Sequence, residues 1–312
     1  MQDTGLLASY PLFRGELPPT IIDSLWHGRF AKRRNVFAIA YSHHSESHVR
    51  LMARSYLQLF GKTKEEQVRT YYLWAQTVPK PAWRFFEHLP LSRFTSYVAD
   101  MVPPLAVANL LRVLDVAHYF KRATVLDLFA GVGGWLMAFY FYPSHALPER
   151  WIAVDIDARR LAVVGMVGRD LGVDVQTVKR DLKEPWEKPP RADVVVGSPP
   201  CHDFSVANVK TRRIDHGLLL VQRYFNIVET VEPELAAMEE AVTLATLKRE
   251  VELMASRYRF RWKWIDLRDL GAIQWRRRRF IAWREGDGYR GLLEYLGCDD
   301  KKPQVSMRYY RL

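Results

Sequence analysis

"DLFAGVGGW", Asp127 to Trp135, is the stretch that decides the fold. It closes the short apolar run "ATVLDLFA" (123–130) and opens a helical pattern, so it reads as strand, glycine turn, helix. Glycines at 131, 133 and 134 permit tight turning and let a ligand approach the backbone closely. The stretch lacks the GxxxxGK[ST] spacing and no lysine follows it, which argues against a nucleoside triphosphate cradle.

Further short apolar runs follow: "RWIAVDID" (150–157), "VDVQTVKRDL" (173–182), "ADVVVGSPP" (192–200) and "ELAAMEEAV" (234–242). Helical segments such as "ARRLAVVGMVGRDLG" (158–172) alternate with them, which predicts an α/β fold with a parallel sheet and helices on both faces. Near the end, "RWKWIDLRDL" and "RRFIAWR" flank a turn and predict an antiparallel pair. Upstream, "HVRLMARSYLQLFG" (48–61) and "PPLAVANLLRVLDVAHYF" (103–120) have helical spacing, and the proline-bearing "TVPKPAWRFFEHLPLS" (77–92) reads as a connector. The expected division is an N-terminal region over 1–92, a catalytic domain over 93–285 and an extension over 286–312.

Composition narrows the function. Hydrophobic residues make up 48% of the 312, enough for a sizeable core without disulfides or metal. The two cysteines, Cys201 and Cys298, stand in no metal-binding spacing, so no metal is expected and a reducing interior is. No apolar run has the length of a membrane span, and the first residues lack a secretory pattern, so the expectation is a cytoplasmic protein with no membrane partner. The net charge of +11 gathers in "AKRRN" (31–35), "KTRR" (210–213) and "QWRRRRF" (274–280). Such clusters suit an anionic polymer, although solvated surface faces would give the same composition.

In a parallel α/β sheet, ligands bind at the carboxyl ends of the strands. The second strand ends in "VDID", where Asp155 is suited to ribose hydroxyls, and the third in "RDL", where Asp181 is suited to an adenine amino group. Each acid alone is equally a helix cap, but acids at successive strand ends favour a nucleoside site. The fourth run ends in "VVVGSPPCHDFS" (194–205), which sets Cys201 in the same crevice behind a rigid Pro-Pro turn. A lone cysteine is usually a small buried hydrophobe; arginines nearby would favour its thiolate, the nucleophilic form.

Four of these stretches, "DLFAGVGGW", "GSPPCHDFS", "EPELAAMEEAV" and "GAIQWRRRRF", resemble in order the signature motifs of the S-adenosylmethionine-dependent C5-cytosine methyltransferases. The resemblance covers about residues 94–285 and implies a Rossmann-like methyltransferase sheet. It implies S-adenosyl-L-methionine as cofactor, held by Phe129, Ala130, Gly131, Gly133, Gly134, Asp155, Ile156, Asp181, Leu182 and Pro199. It implies Cys201 as the nucleophile on cytosine C6, Glu239 as partner of the ring nitrogen, and Arg276 and Arg278 as supports for the base and thiolate. His202, Ser205, Lys210, Arg212, Arg213 and Gln274 would face nucleic acid. Since C5 and C6 are hidden in a stacked duplex, the base would be flipped out.

Three features depart from the family pattern. His202 stands where glutamine is common, and Glu240 stands where asparagine follows the catalytic glutamate, which opens a second register with Glu240 as the acid. The family's last motif is absent after residue 285; a copy, "YVADMVPPLAVANLLRVL" (97–114), precedes the glycine loop, the order of a circularly permuted member, with Asp100 and Met101 in place of the usual polar pair at the cofactor. The resemblance implies a DNA (cytosine-5-)-methyltransferase acting on double-stranded DNA in a prokaryotic cell, alone or beside a cognate restriction endonuclease. An RNA methyltransferase of the same chemistry and a catalytically silent nucleic-acid-binding relative are the alternatives.

Overall fold

A computed structural model describes residues 64–200, 214–240, 245–270 and 277–283. The segment 48–61, the nucleophile loop from Cys201 onward and most of the basic clusters lie outside the described residues. The chain forms two compact units, residues 1–75 with 304–312, and residues 76–303. In the first, the described element is helix α1 (Lys64–Ala75), where Glu65 and Arg69 pair one turn apart at 2.6 Å.

Among the described residues the second unit is built on a seven-stranded sheet: β1 (Thr124–Leu128), β2 (Arg150–Asp155), β3 (Asp174–Lys179), β4 (Val194–Gly197), β5 (Leu235–Glu240), β6 (Arg261–Asp266) and β7 (Arg277–Trp283). Their spatial order is β3-β2-β1-β4-β5-β7-β6. The first five pair in parallel, and β7 inserts antiparallel between β5 and β6. The central strands are apolar on both faces, as in "VVVG" of β4, because helices cover both sides. Edge strand β3, "DVQTVK", is polar and mostly exposed, which discourages pairing with other chains.

On one face, helices α6 (Ile214–Val231) and α7 (Ala245–Arg257) bury Val221, Tyr224, Phe225, Val228, Val251 and Ala255 against Leu126, Val195, Ala236 and Met238. On the other lie α2 (Leu91–Asp100), α3 (Pro104–Val113), the short α4 (Gly134–Met137) and α5 (Ala158–Leu171). Phe139, just after α4, packs edge-on against Trp151 of β2 at 5.9 Å. Helix α5 starts at Asp157, whose side chain accepts from Arg159 N, and ends at Gly172 in the left-handed region.

Two stretches differ from the sequence expectation. The proline-bearing connector forms a 3-10 helix over Lys80–Phe86 that buries Ala82, Phe85 and Phe86, because prolines at its start suit a helical turn and its aromatics need cover. The helical stretch 103–120 stops at Val113 and resumes as a 3-10 turn over Ala117–Phe120, with Asp115 between them at φ 51°.

Asp127 is fully buried in β1 and accepts from the Trp151 indole at 3.2 Å. Burial holds its carboxyl well above the ordinary range; the indole bond opposes the shift and Asp155 adds to it. A raised carboxyl pKa means that the folded state binds the proton more tightly than the unfolded chain. The stabilisation is therefore complete below about pH 4 and is lost as pH rises through the folded value. Asp127→Asn, which keeps an acceptor for Trp151, is expected to remove that slope in urea unfolding followed across pH. A variant with an unchanged slope would show that Asp127 does not carry it.

Candidate active site

Every parallel strand delivers residues to one cavity of about 370 Å³ at the carboxyl end of the sheet. β3 contributes Arg180, Asp181, Leu182 and Lys183; β2 contributes Asp155, Ile156 and Asp157. The loop after β1 contributes Phe129 through Val132, with Gly134 and Trp135. The turn after β4 contributes Ser198, Pro199 and Pro200, and β5 contributes Glu239. At about 4.8 Å between strands, the cavity runs on the order of 20 Å from the end of β3 to that of β5.

The glycine loop is shaped by its backbone. Phe129, Gly131 and Gly133 take positive φ of 59°, 55° and 86°, so the chain turns sharply from β1 into α4. Asp155 fixes this turn. Its Oδ2 accepts from Gly131 N at 2.9 Å and its Oδ1 from Asp157 N at 2.8 Å. Burial raises the Asp155 carboxyl, while those two N–H groups and Arg160 pull it back.

Gly134 meets the break between α2 and α3. A Cβ there would lie 2.5 Å from the Val102 carbonyl oxygen and 2.8 Å from Met101 Cγ. The absent side chain is what lets Met101 and Val102 seat on the glycine loop. Gly134→Ala is therefore expected to cost about 1–3 kcal/mol, as overpacking against backbone does, and to weaken ligand binding in the cavity. Thermal unfolding with and without ligand tests this; an unchanged Tm would show that the contact relaxes freely.

Of the residues expected at a cofactor, Phe129, Ala130, Gly131, Gly134, Asp155, Ile156, Asp181, Leu182, Pro199, Asp100 and Met101 all line this cavity. Gly133 lies behind it, its Cβ position facing Val164 at 3.4 Å. Glu239 lines the cavity, whereas Glu240, the next residue of a strand whose side chains alternate, is buried on the other face. Arg278 lies in β7, paired with Ile265. Cys201, His202, Ser205, Lys210, Arg212, Arg213, Gln274 and Arg276 lie outside the described residues.

Sequence reasoning missed several lining residues. Trp135 donates its indole N–H to Ser198 Oγ at 3.1 Å, tying the glycine loop to the turn after β4. Tyr97, Asp157 and Arg160 form a polar wall: Tyr97 donates to Asp157 Oδ2 at 2.6 Å, and the Arg160 guanidinium stands over the Tyr97 ring. Burial would raise Asp157, but bonds from Tyr97 and Arg159 N, with the charges of Arg160 and Arg159, hold its carboxyl below the ordinary value. The signal that could have found Arg160 is its spacing: it sits one helical turn beyond Asp155 and Ile156, on the helix that starts at the cavity.

Five parallel strands, an antiparallel strand inserted at one side, and a glycine turn answered by an acid at the end of the second strand define an α/β methyltransferase fold. Residues 123–289, more than half of the chain, match the family model of the C-5 cytosine-specific DNA methylases. The chain belongs to that family, whose methyl donor is S-adenosylmethionine and whose members transfer the methyl group to C5 of cytosine. It is 26% identical over 182 residues to the type II methyltransferase M1.HphI of Haemophilus parahaemolyticus, over 54% of this chain and 48% of that one; the match thus spans about half the relative's length. Among solved structures, NSun6 of Pyrococcus horikoshii is 15% identical, with a TM-score of 0.43 over 60% of this chain and 53% of that one. TrmN of Thermus thermophilus is 18% identical, with a TM-score of 0.41 over 58% and 48%. Among the described residues no helix is long and apolar enough to cross a membrane, and no cluster of His, Cys, Asp and Glu suits a metal ion.

Proposed function

We propose that this protein methylates C5 of a flipped-out cytosine in double-stranded DNA, through a covalent bond between Cys201 and C6. The observation that carries the reading is the shared cavity. One opening runs from the acids of β2 and β3, past the glycine loop, to Pro199–Pro200 directly before Cys201 and to Glu239.

The lining suits the donor. Ile156 stands 56% exposed between Asp155 and Asp181, an uncovered apolar surface that a purine ring would cover, with polar acceptors on either side. Asp155 has acceptor capacity left for ribose hydroxyls after its two backbone bonds. Asp181 accepts from Lys183 N at 3.0 Å, which orients it for an adenine amino group. When bound, S-adenosylmethionine supplies an electrophilic methyl group on a positively charged sulfur.

The chain's own residues activate the base. Cytosine C5 is a poor nucleophile until an addition to C6 breaks the ring's conjugation. The Cys201 thiolate makes that addition, and Glu239 holds a proton at N3, so that the electron pair gathered in the ring is not left on a bare anion. After methylation, loss of the C5 proton returns electrons to the C5–C6 bond and expels the thiolate. Arg276 and Arg278 orient the cytosine carbonyl and favour the thiolate. The basic residues Lys210, Arg212 and Arg213, with His202, Ser205 and Gln274, face the nucleic acid. We further propose that the chain is a permuted member, with 97–114 as the displaced last motif; the seating of Met101 and Val102 on Gly134 supports this. The test compares methyl transfer to duplex DNA and to tRNA, with the modified cytosines mapped by bisulfite sequencing. Methylation of the RNA alone would replace the DNA reading, and no transfer to either would end it.

A further inference from the structure

The turn that leads to Cys201 is held in an unusual way. Ser198 N donates to Leu128 O at 3.2 Å, continuing the pairing of β4 with β1. Pro199 and Pro200 follow and have no N–H, so the backbone can donate nothing more to the sheet before Cys201. The helix side is closed. A Cβ on Gly197 would lie 2.9 Å from the ring of Tyr224, in α6, and 3.0 Å from the Leu128 carbonyl oxygen. On the cavity side, the Ser198 hydroxyl accepts the indole N–H of Trp135 at 3.1 Å.

Trp135 is fixed from the donor side. It is 2% exposed and is the second residue of α4, just after the backbone turns at Gly133 with φ 86°. The same loop is held to β2 by Gly131 N, which donates to Asp155. A phenylalanine would fill the same buried space. What the indole adds is one directed N–H that can only donate, and a buried donor is costly to leave unmet. Asp155, the glycine loop, Trp135, Ser198 and the Pro-Pro turn thus form one line of contacts, which ends directly before Cys201. Two successive prolines fix φ twice, so a displacement at Ser198 is passed on along the turn rather than absorbed.

We propose that Trp135 and Ser198 are positioning residues that couple the two halves of the reaction: their hydrogen bond keeps the Cys201 turn in register with the donor on the glycine loop. Transfer needs C6 within reach of the thiol and C5 in line with the methyl–sulfur bond at the same moment. An offset of about 1 Å between the two loops is enough to cost about a hundredfold. The inference rests on Cys201 as the nucleophile, as proposed above, but not on whether the cytosine belongs to DNA or RNA.

The test measures single-turnover methyl transfer at saturating S-adenosylmethionine and, separately, calorimetric binding of S-adenosylhomocysteine, both on the full-length chain. The acceptor is unmethylated genomic DNA or bulk tRNA, whichever the unaltered chain methylates. Trp135→Phe is expected to lower the transfer rate by about 10- to 100-fold and to leave S-adenosylhomocysteine affinity within about twofold. Ser198→Ala should repeat this split, and Ser198→Thr, which keeps the hydroxyl, should restore most of the rate. Because each single change removes the same bond, the double variant should be no slower than the slower single variant within about twofold. Transfer at the full rate in Trp135→Phe and Ser198→Ala would overturn the inference alone. So would multiplied losses in the double variant, or donor affinity that falls in step with the rate, since either marks two residues that merely shape the pocket. An unaltered chain that methylates but forms no Cys201 adduct with 5-fluorocytosine would remove the nucleophile reading and this inference with it, so the two failures are told apart.

Discussion

Cys201→Ala is expected to abolish methyl transfer while leaving donor affinity within about twofold. The donor cavity is completed by the ends of β1, β2 and β3 and by α2, none of which depends on the thiol. In the proposed mechanism the cysteine enters only at addition to C6, and alanine has no atom able to form that bond. The loss should reach the detection limit, since without a nucleophile C5 stays unactivated. A duplex with 5-fluorocytosine at the target gives the direct readout. Fluorine cannot leave as a proton does, so the unaltered protein with S-adenosylmethionine should yield a denaturant-stable adduct and the alanine variant none. An adduct formed by the variant would move the nucleophile elsewhere.

Glu239→Gln is the second large effect, an expected fall of about 10²–10⁴ in the single-turnover rate, the range for loss of a positioned acid. Glutamine keeps the size of the side chain and can still meet N3 with an N–H, but it has no acidic proton to release. Donor binding should be nearly unchanged. Glu240→Gln should leave the chemical rate within about tenfold, because alternation along β5 directs that side chain away from the cavity. Its effect belongs to stability, read from urea unfolding. The reverse ranking of the two rates would assign the acid to Glu240. The motif's spacing after Pro233 and Met238 already favoured Glu239 in the sequence and left Glu240 as a second register; the strand's facing direction adds an independent reason for the same choice.

Strands β1, β2 and β4 were legible because each is a short apolar run closed by glycine or aspartate, and the alternation with helices predicted the parallel core. The position of β7 between β5 and β6 was not, since periodicity says what a segment forms and not where it pairs. The start of α3 was legible in Pro103 and Pro104, whereas the seating of Met101 and Val102 on Gly134 was not, because that partner is distant in the chain. Residues that announce themselves by motif, such as Gly131, Asp155 and Asp181, could be placed at the cavity from sequence. Tyr97, Arg160 and Trp135 could not, because their contacts join elements 60 residues or more apart, at the Tyr97–Asp157, Arg160–Asp100 and Trp135–Ser198 bonds.

The insertion of β7 also sets a timetable for synthesis. A ribosome releases β6 before β7, yet among the described residues β6 has no hydrogen-bonded neighbour in the sheet except β7. Until residue 283 has emerged, the parallel core ends at an open β5 edge and β6 has no strand to join. The donor cavity, assembled from residues up to Glu239, is built from earlier parts of the chain. A nascent chain halted between residues 266 and 277 would therefore carry most of its donor-binding groups along with an exposed, pairing-competent strand edge. Such an intermediate is a target for chaperones and a seed for aggregation.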